Sequence, residues 1–296
     1  MQVSVSGAGQ NALTLSNYNP HGFAFTLRPN VAEPANQPNL ETIRASAVLN
    51  RNGERITVFS GSFADLALGQ NPVGLEGVPH QAGFVGLNAA APTRSFVLYL
   101  PVVLNLKGSD TLTVEIVNTA QEFTLFCRIL EGIGVEWYTP VINVLAPVHS
   151  QNQHSFALGN FVTRLTIVTR AVNDFGTGGV FTRFRVNQLT FSSSLLSLEL
   201  GETDLHALRM QDFGEGALIA AGSTLALPAR CTIFKSTIPT HDVRLNVVQF
   251  TDPPSNDMGP LRFFVESGVQ TELQRARVPA LVDKIATFNR SVYCCQ

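Results

Sequence analysis

Ile43-Arg44-Ala45-Ser46-Ala47-Val48-Leu49-Asn50, followed by Arg51-Asn52-Gly53-Glu54, Arg55 to Phe59 and Phe63-Ala64-Asp65-Leu66-Ala67-Leu68, decides the fold because the same order of signals returns later in the chain. The first run reads as a strand, and the Asn-Gly pair supplies the positive φ of a tight hairpin turn. Arg55 to Phe59 is the returning strand, and Phe63 to Leu68, with an acid near its start, reads as one or two helical turns. In the second half Phe184 to Phe191 is the strand and Ser192-Ser193-Ser194 the turn. Leu195 to Leu200 is the returning strand there, and Thr203-Asp204-Leu205-His206-Ala207-Leu208 the short helix. The two copies lie about 130 residues apart, as an internal duplication of a whole unit requires.

Outward from this segment the parallel continues. Leu98-Tyr99-Leu100-Pro101, inside the apolar run Phe96 to Leu104, answers Leu225-Ala226-Leu227-Pro228, and each precedes an alternating strand, Thr111 to Val117 and Val243 to Phe250. Alternation such as Leu112, Val114 and Ile116 is the signature of a half-buried antiparallel strand. Two β units of about 120 residues, each with roughly eight short strands and a short helix between the fourth and fifth, predict an all-β fold of two tandem eight-stranded jelly-roll barrels. The expected boundaries are residues 1–131 for the first barrel, 132–255 for the second, and 256–296 for an extension holding a strand, Leu261 to Val265, and a C-terminal helix. That helix rests on Val278, Leu281, Val282, Ile285 and Phe288 at helical spacing with Pro279 near the start. It carries Arg275, Arg277, Lys284 and Arg290 against Glu272 and Asp283, and reads first as a helix docked on its own barrel.

Composition agrees with a β protein. The chain has 296 residues, 45 % apolar, with 20 Phe, 23 Gly and 16 Pro beside a single Trp. Only 14 % of residues are charged and the net charge is −2, which argues against disorder and against a general nucleic-acid binder. The basic residues are 17 Arg and 3 Lys, and Arg over Lys is the bias of protein interfaces. So few charges predict that neighbouring subunits cover much of the exterior. The start, Met1 to Gly7, lacks a secretory pattern, and the Phe96 to Leu104 run is too short to span a bilayer. Cys127 and Cys231 sit in apolar strand-like runs and read as reduced core residues, and Cys294-Cys295 has no metal-ligand spacing.

These residues together resemble the double jelly-roll major capsid proteins of tailless, membrane-containing icosahedral bacteriophages, the adenovirus-hexon-like lineage. The resemblance rests on Ile43 to Asn50, its turn and Phe63 to Leu68, with their counterpart Phe184 to Leu208. It implies a homotrimer whose paired barrels make a pseudo-hexagonal capsomer tiling an icosahedral shell, without catalytic residues. The partners it implies are neighbouring capsomers, penton and minor capsid proteins and an internal viral membrane, without direct nucleic-acid binding; the implied location is the virion, assembled in the host cytoplasm. Outward or lateral loops are expected at Gly69 to Asn88, Asn173 to Gly179, Gln211 to Gly222 and Asp252 to Gly259.

Some residues raise other chemistry. The histidines (His21, His80, His149, His154, His206, His241) include no His-x-His pair, so a cupin-type metal site is not expected, and His149 and His154 read as loop residues. Asn173 to Gly179 and Asp252 to Asp257 are oxygen-rich and raise a structural Ca²⁺ without EF-hand spacing. Glu131 and Glu136 beside Trp137 and Tyr138 are the best pair of acids for a two-barrel glycan-processing hydrolase, and a carbohydrate-binding spike or adhesin is the remaining alternative. The favoured reading of that cluster is structural, with Trp137 plugging the junction between barrels.

Overall fold

The computed structural model describes residues 1–32, 34, 38–69, 93–148, 150–169, 186–194, 196–213, 229–250 and 261–270. The first barrel contains β1 (Gln2–Ser6), β2 (Gly9–Leu15), β3 (Pro20–Pro29), β4 (Arg44–Arg51), β5 (Glu54–Ser62), α1 (Phe63–Gly69), β6 (Arg94–Tyr99), β7 (Thr111–Asn118) and β8 (Phe123–Glu131). The second repeats the order with β9 (Thr139–Leu145), β10 (Gln153–Gly159), β11 (Val162–Thr169), β12 (Val186–Ser192), β13 (Ser197–Gly201), α2 (Glu202–Phe213), β14 (Ala229–Thr240), β15 (Val243–Gln249) and β16 (Leu261–Val269).

Pairing follows the same rule twice. The first barrel has one sheet in the order β1-β8-β3-β6 facing β5-β4-β7-β2, and the second has β9-β16-β11-β14 facing β10-β15-β12-β13. Each is an eight-stranded jelly roll. The two join where β5 meets β9 in a parallel contact, Phe59 opposite Ile142, so one sheet of each barrel runs on as a single eight-stranded sheet. This chain is a double jelly roll.

Local chemistry explains the repeated hairpins and helices. Asn52 and Gly53 both take positive φ, 51° and 80°, as the Asn-Gly reading requires. Ser62 caps α1: its Oγ accepts the Asp65 N–H at 3.0 Å and donates to the Asp65 carboxylate at 2.9 Å. In α2 the Asp204 carboxylate accepts the Gly201 N–H at 2.8 Å, so the first-turn acids recognised in both halves are capping residues. The first core is built on rings: Phe23 meets Phe59 edge-on at 4.8 Å, and Phe25 stacks on Phe96 at 5.0 Å. Cys127 and Cys231 are both buried, and burial pushes the Cys127 thiol up to about 12.

Three expectations change. Each helix falls between the fifth and sixth strands of its barrel, because the second strand of each is poorly buried and easily overlooked: β2 (GQNALTL) is largely exposed, and β10 (QHSFALG) has no fully buried residue. The strand from Leu261 does not lie in an extension beyond 255. It is β16, hydrogen-bonded to β11 on one side and β9 on the other, and it completes the second barrel through Val269. The run Phe96 to Leu104 is a strand only as far as Tyr99, where the chain turns toward Pro101. The C-terminal helix, Cys294-Cys295, the glycine- and proline-rich loop after Gly69, Asn173 to Gly179, the part of Gln211 to Gly222 after Phe213, and Asp252 to Gly259 lie outside the described residues. No helix among the described residues is long and apolar enough to cross a membrane.

Candidate functional site

The surfaces between barrels are where this chain concentrates its buried charge, and they start at the linker. Arg51 ends β4 at the hairpin turn, and its Nε reaches Asp110 at 2.9 Å while Nη1 and Nη2 hold the carboxylate of Glu136 in the linker. Glu136 also accepts the Asn105 N–H at 2.6 Å, and Arg51 donates to the Asn105 carbonyl at 3.0 Å. Burial opposes the charge on Arg51, yet Glu136 and Asp110 outweigh it and hold its pKa above the ordinary value. This network ties the first barrel's turn and the loop before β7 to the chain entering β9.

Next in the chain, Tyr138 is 1 % exposed and stacks on Phe161 at 5.1 Å. Phe161, at φ 58°, is held in a conformation unusual for a bulky residue by that stack and by an edge contact with His241 at 4.8 Å. Gly268 lets β16 run against Tyr138, because a Cβ there would overlap the ring. Desolvation, with help from Glu266, pushes the phenol of Tyr138 up to about 12.

The central strands β11 and β16 of the sheet β9-β16-β11-β14 are buried on both faces. Leu165, Ile167, Phe263 and Val265 point into the second core, whereas Ile142, Val168 and Phe264 belong to the first. The C-terminus of α1 lies on this outer face, where a Cβ on Gly69 would overlap the Phe264 ring. Arg164 donates to the Gly69 carbonyl at 2.5 Å, lies 5.2 Å from the centre of the Phe264 ring and stands 3.5 Å from Glu266. Asp65 of α1 reaches Arg262 of β16 at 3.9 Å. Desolvation raises the pKa of Glu266 above the ordinary carboxylate range, against the pull of Arg164 and Lys235.

The equivalent face of the first barrel, on β1-β8-β3-β6, is open in the single chain. Its register repeats that of the covered face: Thr26 stands opposite Phe126 as Thr166 stands opposite Phe264. Phe264 is 1 % exposed, while Phe126 stays partly exposed. Across the open face run Gln2, Arg128, Ala24 and Val97 in one row and Leu130, Gly22 and Tyr99 in the next. Arg128 and Arg28 are its charged residues among those described.

The residues singled out for other chemistry do not assemble. Glu136 is engaged by Arg51, Glu131 is exposed at the end of β8, and Trp137 is 44 % exposed. The junction is plugged by Tyr138, not by Trp137, because side chains alternate along the extended linker and Tyr138 has the inward turn. His154 is the second residue of β10 instead of lying in a loop, and its Nε2 is 3.0 Å from the Val148 carbonyl. His21 lies beside Tyr99, 5.8 Å between ring centres. His80, His149 and the side chain of His206 lie outside the described residues, and among those described no three His, Cys, Asp or Glu residues are grouped to hold a metal. Sequence reading missed Arg51, Arg164 and Phe126, whose only signal was the excess of Arg and Phe.

No protein-family model and no curated protein sequence matches the chain. Solved structures do. A chain from the atomic structure of Sulfolobus Turreted Icosahedral Virus superposes with a TM-score of 0.51 at 11 % identity, covering 97 % of this chain and 94 % of that one. The major capsid protein P2 from Bacteriophage PM2 gives 0.48 at 12 % identity over 92 % and 99 % of the two chains. A peptide-N(4)-(N-acetyl-β-D-glucosaminyl) asparagine amidase gives 0.32 at 10 % identity over 92 % and 97 %. At 11 % identity the first likeness is one of fold, and it extends over both barrels.

Proposed function

We propose that this chain is a structural protein without catalytic residues: the major capsid protein of a non-tailed icosahedral virus, acting as a homotrimer that forms a pseudo-hexagonal capsomer. The observation that carries this reading is the Thr–Phe pair, covered on one barrel and open on the other. Within the chain, α1 and the β5 edge of one barrel cover the β11–β16 face of the next. This contact joins two different surfaces, and heterologous contacts of that kind make rings when their rotation closes. Repeating it between chains would put α2 and the β13 edge of one copy over the β3–β8 face and the β1 edge of its neighbour, giving a ring of six barrels from three chains.

The low charge supports the same reading, since faces buried by assembly need few charged groups. The likeness in fold to a chain of an icosahedral virus gives it a context. Within this reading the units are residues 1–131 and 132–269, followed by a C-terminal extension. The protein would reside in the virion after assembly in the host cytoplasm, with adjoining capsomers, penton and minor capsid proteins and an internal membrane as neighbours. Light scattering on the purified protein, followed by negative-stain imaging, tests it. A trimer with a six-lobed outline is expected; a stable monomer at high concentration would overturn it.

A further inference from the structure

The linker between barrels runs with alternate residues turned in and out. A Cβ on Gly132 would meet His21 at 2.6 Å, one on Gly134 would meet Val103 at 3.0 Å, and Glu136 is held by Arg51. The side chains between them turn away from the protein: Ile133 is 103 %, Val135 67 % and Trp137 44 % exposed. Tyr99, 45 % exposed, belongs to the same end of the barrel through its contact with His21. Single exposed apolar residues are ordinary, but a row of three on a tightly anchored segment is a surface that something covers.

The chain leaves the second barrel at this place. Val269 is paired in register with Thr139 and is 44 % exposed, and the Gln270 side-chain amide donates to the Trp137 carbonyl at 3.3 Å. Gln270 therefore stands beside the row, and residues 271–296 follow it in the sequence. Their apolar positions Val278, Leu281, Val282, Ile285 and Phe288 fall on one face at helical spacing, with Arg277, Asp283, Lys284 and Arg290 among the polar ones. The stretch from Gln270 to Val278 reaches on the order of 25 Å when extended, ample to fold back over the linker.

We propose that the C-terminal segment of the same chain docks with this apolar face on Ile133, Val135 and Trp137, clasping the linker that joins the barrels. The proposal is independent of the capsomer reading, since it concerns contacts within one chain. Trp137 is the only tryptophan, so its fluorescence reports the row directly. In the full chain its emission should be blue-shifted and weakly quenched by acrylamide. The double variant Leu281→Asp with Ile285→Asp, and separately a chain ending at Gln270, should shift emission to the red and raise quenching while the barrels keep their melting temperature. Adding a peptide of residues 271–296 to the shortened chain should restore protection. Unchanged emission and quenching in both variants would overturn the proposal. Protection that grows with protein concentration would put a second copy on the row, and protection seen only with phosphatidylglycerol vesicles would put lipid there; either result overturns docking within the chain.

Discussion

Glu266 shows how one side chain can make this protein's stability depend on pH. Its carboxyl is buried on the face between barrels, and desolvation raises its pKa above the ordinary carboxylate range despite Arg164 and Lys235. The folded state thus binds the Glu266 proton more tightly than the unfolded chain does. That contribution is complete below the ordinary carboxylate pKa and is lost as pH rises through the folded value, at about 1.4 kcal/mol for each tenfold difference in proton affinity between the two states. Glu266→Gln imitates the protonated form. The expected outcome is that the difference in melting temperature between the native protein and the variant stays constant at acid pH and moves in the variant's favour as pH rises, the native protein losing stability that the variant keeps. Curves that stay parallel from about pH 4 to about pH 8 would show that Glu266 does not carry this dependence.

At the scale of elements, much was legible in the sequence and the reasons are local. The hairpin at Asn52-Gly53, the capped α1 and α2, and the alternating strands follow from turn chemistry, capping acids and period-two burial, all written in neighbouring residues. The strand β16 escaped its barrel in that reading because its place is set by partners far away, Thr139 to Leu145 and Arg164 to Thr169. The candidate site was hidden for the same reason: Arg51 meets Glu136 across a separation of 85 residues, and no local pattern announces such a pair. Arg51 also makes the element-scale prediction. Removing one partner of a buried ionic network leaves the others desolvated and uncompensated, which costs roughly 3–5 kcal/mol. Arg51→Ala should therefore lower stability by that order in chemical denaturation, and Glu136→Gln by less, because the amide keeps its acceptor for the Asn105 N–H. Equal small losses in both would contradict the role given to the network.

For the whole molecule the decisive comparison is between two phenylalanines that hold the same position on successive barrels. Phe264 is covered by α1 inside the chain, so truncation to Ala empties a site in the core and should cost the folded monomer about 3–5 kcal/mol. Phe126 stands opposite Thr26 on the open face and packs into neither core, so in an isolated chain it contributes little. If that face is where a second copy sits, Phe126→Asp puts an unpaired charge into the contact and should turn the trimer into monomers, with each monomer's melting temperature nearly unchanged. Phe264→Ala should do the reverse, weakening the fold while the protein that stays folded still assembles. Light scattering and thermal unfolding on both variants read the two effects separately. A Phe126→Asp protein that remains trimeric at the lowest concentrations at which the native protein does would rule out the β3–β8 face as the contact, because an unpaired charge buried in an apolar contact costs several kcal/mol of association.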